Sequence, residues 1–282
     1  MPNTFQLIQI TDKEFNLLSR LIYEKSGINL GEHKRSLVVG RLNKLIKQLN
    51  YNSFKEYYDF VVEDSSGQAL LTLIDKISTN HTFFYRESDH FDYFSDTALP
   101  VIEQLIIAKK MPKDLRLWVA GCSSGEEPYL LAMLLKDYFN NKNSWEYGIL
   151  ATDISVEILK KAVAGRYAQE NIVKVPPRIK NLYFTKLPDG FWEVKPVIKN
   201  IITFRRLNLM RSFFPFKGKF HIIFCRNVMI YFDQVTREAL IKKFFDVLHP
   251  GGYLFIGHSE SIGRDNPYFK YIKPAVYRKE ER

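Results

Sequence analysis

The run LRLWVAGCSSGEEPY, residues 115–129, decides the fold. Residues 115–120 are apolar apart from Arg116 and end at a glycine, the pattern of a short strand buried on both faces. Gly121 and Gly125 bracket the turn that follows, and a residue without Cβ lets the backbone pass close to a ligand. Glu126, Glu127 and Pro128 then open a helix, whose first turn suits proline. Strand, glycine loop and helix in that order begin a nucleotide-binding α/β unit, although an ordinary tight turn shares the pattern. The third glycine of the dinucleotide fingerprint is missing, and two acids at a helix start repel a pyrophosphate. They suit a phosphate-free nucleoside carrying positive charge.

Downstream, short apolar runs alternate with helical patterns. Strands are predicted at 147–152, 201–207, 220–225 and 253–257, helices at 126–139, 156–164 and 234–248, and a closing strand or hairpin member at 271–278. This alternation predicts an α/β fold with a doubly wound parallel sheet. Residues 169–200 are too long for a simple loop. Strand texture at 182–197, around the turn Pro188-Asp189-Gly190, predicts a small β insertion there. The second strand ends in Ala151-Thr152-Asp153, which sets a carboxylate at the sheet's carboxyl edge, within reach of both ribose hydroxyls of a nucleoside. Ser155 close behind leaves a helix cap as the competing reading. S-Adenosyl-L-methionine, with an ammonium, a sulfonium and no phosphate, fits this loop and acid where NAD does not. After the fourth strand, Asn227 interrupts the apolar run FCRNVMIYFD, residues 224–233. The two prolines that base-methylating enzymes place after such an Asn, to hold a flipped base, are absent.

Upstream the texture is helical. Thr11 with Glu14, and Ser53 with Glu56, fit capping boxes. Gly27 and Gly31 are placed to close the first helix. A second helix is predicted over 33–49, with Val38, Leu42, Leu45, Ile46 and Leu49 on one face and Arg41, Lys44 and Lys47 on the other. Two more, at 53–63 and 68–77, complete a helical domain over residues 1–77. Residues 78–112 read as a linker and connecting helix that carries NHTFFYRE, residues 80–87, and 113–282 as the sheet domain. The formal charge of +10 favours acidic partners. Residues 1–75 are neutral, with nine Lys and Arg against nine Asp and Glu, yet 33–50 holds five cations and no acid. That cationic face is either a solvated surface or a docking face. Cys122 and Cys225 are far apart with no paired Cys or His spacing, so neither a disulfide nor a metal site is indicated. No apolar run reaches the roughly 18 residues of a membrane span, and residues 1–10 lack a leader pattern.

Taken together, these segments resemble the chemotaxis receptor methyltransferase (CheR) family. The blocks that carry the likeness are STNHTFFYRE from Ser78, GCSSGEEPY from Gly121, ATDI from Ala151, LNL from Leu207, FCRNVMIYFD from Phe224 and GHSES from Gly257. The resemblance implies a class I S-adenosylmethionine-dependent methyltransferase sheet, with an N-terminal helical domain and an inserted antiparallel β-subdomain. By motif position it implies cofactor contacts at Asn80, Thr82, Arg86, Glu127, Asp153, Asn208, Leu209, Asn227 and Val228. Arg86 and Tyr231 would orient the reacting groups. The activity implied is methyl esterification of receptor glutamates by a cytoplasmic monomer, with S-adenosyl-L-homocysteine as the second product. Arg41, Lys44 and Lys47 would then dock the acidic methylation region of the receptor. The loop carries Cys122 where many members have alanine, which sets a thiol beside the cofactor. The turn at 188–190 is shorter and poorer in glycine than in members that grip a receptor's C-terminal pentapeptide, which counts against such tethering. Two other readings remain: a module of the same fold that has lost transfer activity, and a nucleic-acid methyltransferase.

Overall fold

The computed structural model describes residues 7–281. The part of the leader reading that falls on residues 1–6 lies outside the described residues. Four helices come first: α1 (Asp12–Ser26), α2 (Arg35–Gln48), α3 (Phe54–Glu63) and α4 (Gln68–Ile77). Thr11 and Glu14 form the complete reciprocal capping box, and Gly27, at φ +74°, ends α1 in the left-handed conformation. At α3 only half of the box forms. Ser53 accepts from the Glu56 N–H, while the Glu56 carboxylate accepts from Asn52 instead. Phe15, Leu18 and Ile22 of α1 share one core with Val38, Leu42 and Ile46 of α2, Phe54 and Tyr57 of α3, and Leu73 and Ile77 of α4. Gly31 does not close α1. It precedes a 3-10 turn, Glu32–Lys34, that delays α2 to Arg35. Leu49 falls beyond α2 and is exposed, whereas Asn43 is buried, its amide bonded to both backbone groups of Ile8.

A bent connector follows: α5 (Asp89–Tyr93), a π-helical turn (Phe94–Ala98) and α6 (Leu99–Ala108). The sheet unit then runs β1 (Asp114–Ala120), α7 (Glu126–Tyr138), β2 (Glu146–Asp153), α8 (Val156–Ala164) and β3 (Arg166–Tyr167). It continues through α9 (Pro177–Tyr183), β4 (Phe184–Lys186), β5 (Trp192–Val194), α10 (Pro196–Lys199) and β6 (Ile202–Arg206). The last elements are β7 (Phe220–Cys225), α11 (Gln234–Val247), β8 (Leu248–Ile256), β9 (Lys270–Lys273) and β10 (Val276–Arg278).

The main sheet has the order β6-β2-β1-β7-β8-β10-β9, parallel through β8 and antiparallel at the last two strands. Both faces are covered. Along β1, Leu115, Leu117 and Val119 enter one apolar core, and Trp118 and Ala120 the other. The chain leaves β1 toward β2 and β6 on one side and returns to pair β7 on the other, so a crevice opens at the carboxyl ends of β1 and β7. The antiparallel insertion, β3-β5-β4, begins at Arg166, earlier than the predicted start. It also holds the short helices α9 and α10, each with proline in its first turn.

Candidate functional site

The loops after β1, β2, β6 and β7 and the segment before α5 enclose one open cleft of about 1070 Å³. Asn80, Thr82, Arg86, Glu127, Asp153, Asn208, Leu209, Asn227, Val228 and Tyr231 all line it.

Close approach of two loops shapes its floor. Gly121 sits at φ +83°, and a Cβ there would lie 2.4 Å from Val228 Cγ2. Only glycine lets the β1 loop reach the β7 loop. Ser123 donates its N–H to Asp153 Oδ2 at 2.9 Å and its hydroxyl to the Asn80 carbonyl at 2.9 Å. Asp153 Oδ1 accepts from the Ser155 N–H at 3.0 Å. The cap of α8 is Ser155 itself, whose hydroxyl accepts from Ile158, so Asp153 is not the helix cap. Burial pushes the Asp153 carboxyl up, and the surrounding N–H donors oppose that. Cys122 also lines the cleft, and burial pushes its thiol well up, away from a reactive thiolate.

The two acids at the start of α7 part company. Glu126 is buried, accepts from the Ser124 hydroxyl at 2.6 Å and does not line the cleft. Glu127 does line it, but is ion-paired with Arg226 Nη1. The electrostatic case made from two free acids therefore reduces to one paired acid and Asp153. Arg226, whose side chain is 2% exposed, also meets Glu87 Oε2 at 3.1 Å and the Arg86 carbonyl. Burial is the largest influence on Glu87 and raises its pKa, yet Arg226, Asn227 and the His258 N–H together hold it below the usual range. For Glu127 burial outweighs the same guanidinium, and the direction is up.

The segment from Ser78 to Glu87 has no regular structure and needs external support. Arg41 supplies it. Its guanidinium donates to the carbonyls of Ile77 and Ser78 and to Thr79 Oγ1, the last two at 3.0 Å. Expected on the docking face of α2, Arg41 is turned toward the loop that carries the cleft residues. Lys44 is exposed and Lys47 half-buried, and neither lines the cleft. Arg86 Nη1 donates to the His81 carbonyl at 2.9 Å. Phe84 is core, edge-on to Tyr167 at 5.0 Å, while Phe83 faces the cleft.

The helical unit forms one wall through Ser26, Ile28 and Ile77. Polar bonds cross this seam. Asn29 N–H donates to the Tyr231 carbonyl at 2.8 Å, Asn208 Nδ2 to the Lys25 carbonyl at 2.6 Å, and the Tyr23 hydroxyl to Asp233 at 2.7 Å. Lys34 Nζ lies 5.6 Å from the centre of the Tyr231 ring.

Sequence reasoning gave no role to Glu87, Arg226 or Glu260, although all three stand inside the quoted motif blocks. For Arg226 the usable signal was a charged residue at the end of an apolar strand run. Among the described residues, Glu87, His90 and His258 bring potential ligand atoms within 4.8 Å of one another. Glu87 already serves Arg226, Asn227 and the His258 N–H, so its carboxylate belongs to that network.

A parallel sheet with such a switch-point cleft, a glycine-bracketed β1 loop lacking the third glycine and an acid closing β2 is the frame of the class I S-adenosylmethionine-dependent methyltransferases. The family description "CheR methyltransferase, SAM binding domain" matches residues 80–278, and "CheR methyltransferase, all-alpha domain" matches residues 13–78. The chain belongs to the CheR methyltransferase family, and S-adenosylmethionine is its cofactor. It is 45% identical to the chemotaxis protein methyltransferase of Borreliella burgdorferi, over 98% of both chains. It is 34% identical to that of Escherichia coli, over 96% of this chain and 92% of the relative. With chemotaxis protein methyltransferase 1 of Pseudomonas aeruginosa the identity is 34%, over 92% and 94%.

Proposed function

We propose that this protein esterifies glutamate side chains in the cytoplasmic methylation region of chemotaxis receptors. The observation that carries the reading is the positive charge at the cleft. Arg86 lines it, and the Lys34 ammonium lies 5.6 Å from the ring of Tyr231, which also lines it. Such charge draws a carboxylate and repels a protonated amine. The relatives from Borreliella burgdorferi and Escherichia coli, each named a chemotaxis protein methyltransferase, support methyl transfer in chemotaxis.

S-Adenosylmethionine supplies a methyl group activated by its sulfonium. Asp153 is assigned to the ribose hydroxyls and Glu127 to the ammonium, with Asn80, Thr82, Asn208, Leu209, Asn227 and Val228 completing the contacts. Arg86 and Tyr231 orient the acceptor. Bound there, the cofactor would offer its sulfonium-activated methyl carbon to the glutamate oxygen, with its sulfur keeping the electron pair of the broken bond, and the chain's part is to hold the two in line. No proton has to be removed, because glutamate, with a reference pKa of about 4.3, is already ionised near neutrality. An anion and a cation become two neutral products, so a cleft that excludes water favours the step. Alignment is the chain's main contribution, and it supplies up to about 7–11 kcal/mol in model reactions.

Lys44 and Lys47 are assigned to docking the acidic receptor helices, with Arg41 as a support of the cleft. Binding should weaken as salt rises. The turn at the tip of the insertion is short and pinned by Arg166 against Asp189 at 2.5 Å, and no tethering pentapeptide is assigned to it. We place the protein in the cytoplasm as a monomer. No described helix is long and apolar enough to cross a membrane.

The test is incubation with radiolabelled S-adenosylmethionine and receptor-bearing membranes. Alkali-labile label on the receptor supports the reading. Alkali-stable label, label on nucleic acid, or no transfer would each overturn it. Full turnover in both Tyr231→Phe and Arg86→Ala would remove only the orienting roles.

A further inference from the structure

Glu260 lies just beyond β8 and is not among the residues that line the cleft, yet it is 8% exposed. Both carboxylate oxygens are spent on backbone N–H groups. Oε2 accepts from Gly257 at 2.5 Å and from Asn227 at 2.8 Å, and Oε1 accepts from Ile230 at 3.1 Å. One side chain after β8 thus fixes the loop after β7, where Asn227, Val228 and Tyr231 face the cleft.

That loop holds a residue in the left-handed region. Asn227 sits at φ +58°, a conformation that Asn tolerates better than most L residues but that still needs its surroundings to select it. Gly257 supplies part of that selection. A Cβ at 257 would lie 2.5 Å from Asn227 Nδ2, 2.9 Å from its backbone nitrogen and 2.9 Å from Glu260 Oε2. The missing side chain leaves a cradle that Asn227 and the carboxylate fill together. From the opposite side, Glu87 Oε1 accepts from Asn227 Nδ2 at 3.2 Å. One acid therefore grips the backbone of Asn227 and another its side chain.

We propose that Glu260, seated against Gly257, is a positioning residue for the cofactor: it holds Asn227 in the left-handed region and so aims Asn227 and Val228 into the cleft. It does not touch the ligand. A carboxylate is needed because its four lone-pair sites all accept. Glutamine at 260 would set its NH₂ group against the Gly257 and Asn227 N–H groups in one orientation and against that of Ile230 in the other.

The experiment compares the unsubstituted protein with Glu260→Gln and Gly257→Ala. S-Adenosyl-L-homocysteine binding is measured by calorimetry well below the unfolding transition, and amide exchange is followed at residues 227–230. The expected result for Glu260→Gln is a loss of affinity of at least about tenfold, with faster exchange at those amides and unchanged far-UV circular dichroism. Gly257→Ala, which keeps the carboxylate and displaces the loop, should act in the same direction, and it decides the matter alone if Glu260→Gln does not fold. A purely structural role would lower the unfolding midpoint and leave the affinity of the folded protein unchanged. A loss smaller than about tenfold in the folded variant overturns the proposal.

Discussion

Arg226→Met removes a guanidinium that is 2% exposed and bridges Glu87 and Glu127, each 15% exposed. Methionine fills similar space, so much of the packing against Phe91, 5.2 Å from the guanidinium carbon, should survive. The counter-charge does not, and two half-buried carboxylates are left with Arg86, 4.0 Å from Glu87, as a weaker substitute. Breaking a buried ion pair costs about 3–5 kcal/mol, and partial exposure with Arg86 nearby puts this case toward the lower figure near neutrality. The carboxylates escape by binding protons. In the parent, Glu87 titrates below its usual range, so its contribution is lost only as pH falls through that lowered value. In the variant its folded pKa rises above the unfolded one, and stability is regained as pH falls. The difference between the proteins should therefore shrink between about pH 7 and about pH 5. Urea unfolding followed by circular dichroism at both pH values measures it. A loss under about 1 kcal/mol near neutrality, the size of an exposed pair, or a loss that widens on acidification, refutes the reasoning.

Gly121→Ala forces a Cβ into the left-handed region and against Val228, so it should destabilise by at least about 1–2 kcal/mol and weaken S-adenosylhomocysteine binding in calorimetry. His90 and His221 are both pushed down to about 4, chiefly by burial, helped at His90 by Arg226 and at His221 by the stacked His249. Both are neutral when folded and bind protons more readily unfolded. Stability should fall as pH drops from about 6.5 toward 4, by roughly 3 kcal/mol per histidine at full extent, and His221→Gln should flatten that slope in unfolding titrations. Arg41→Ala should weaken cofactor binding through the loosened 77–79 backbone. Lys44→Glu should instead reduce the salt-sensitive part of receptor binding, and the two effects separate in calorimetry and sedimentation with receptor membranes.

The strands of the parallel sheet were legible because they are apolar on both faces, and most observed ends fall within a residue or two of the expected ones. The exception is β8, which begins at Leu248 although Pro250 and two glycines masked its first half. The helices α9 and α10 were hidden by the strand texture around them; the prolines that start them, Pro177 and Pro196, were the unused cue. The cofactor contacts that line the cleft could be read from motif position. Glu87, Arg226 and Glu260 were missed, because they work on backbone and on other charges up to 171 positions away in sequence. Helical periodicity placed Arg41 opposite the apolar stripe. It says nothing of a neighbouring loop that comes back to meet that face.

The helical unit supplies a wall of the cleft and is stitched to the sheet unit at Tyr231, Asn208 and Asp233. Ligand affinity and inter-unit cohesion are consequently one linked quantity: whatever factor occupancy adds to the grip between the units, their grip adds back to occupancy. A partner that prised this seam open from the helical side would loosen the ligand's hold without entering the cleft.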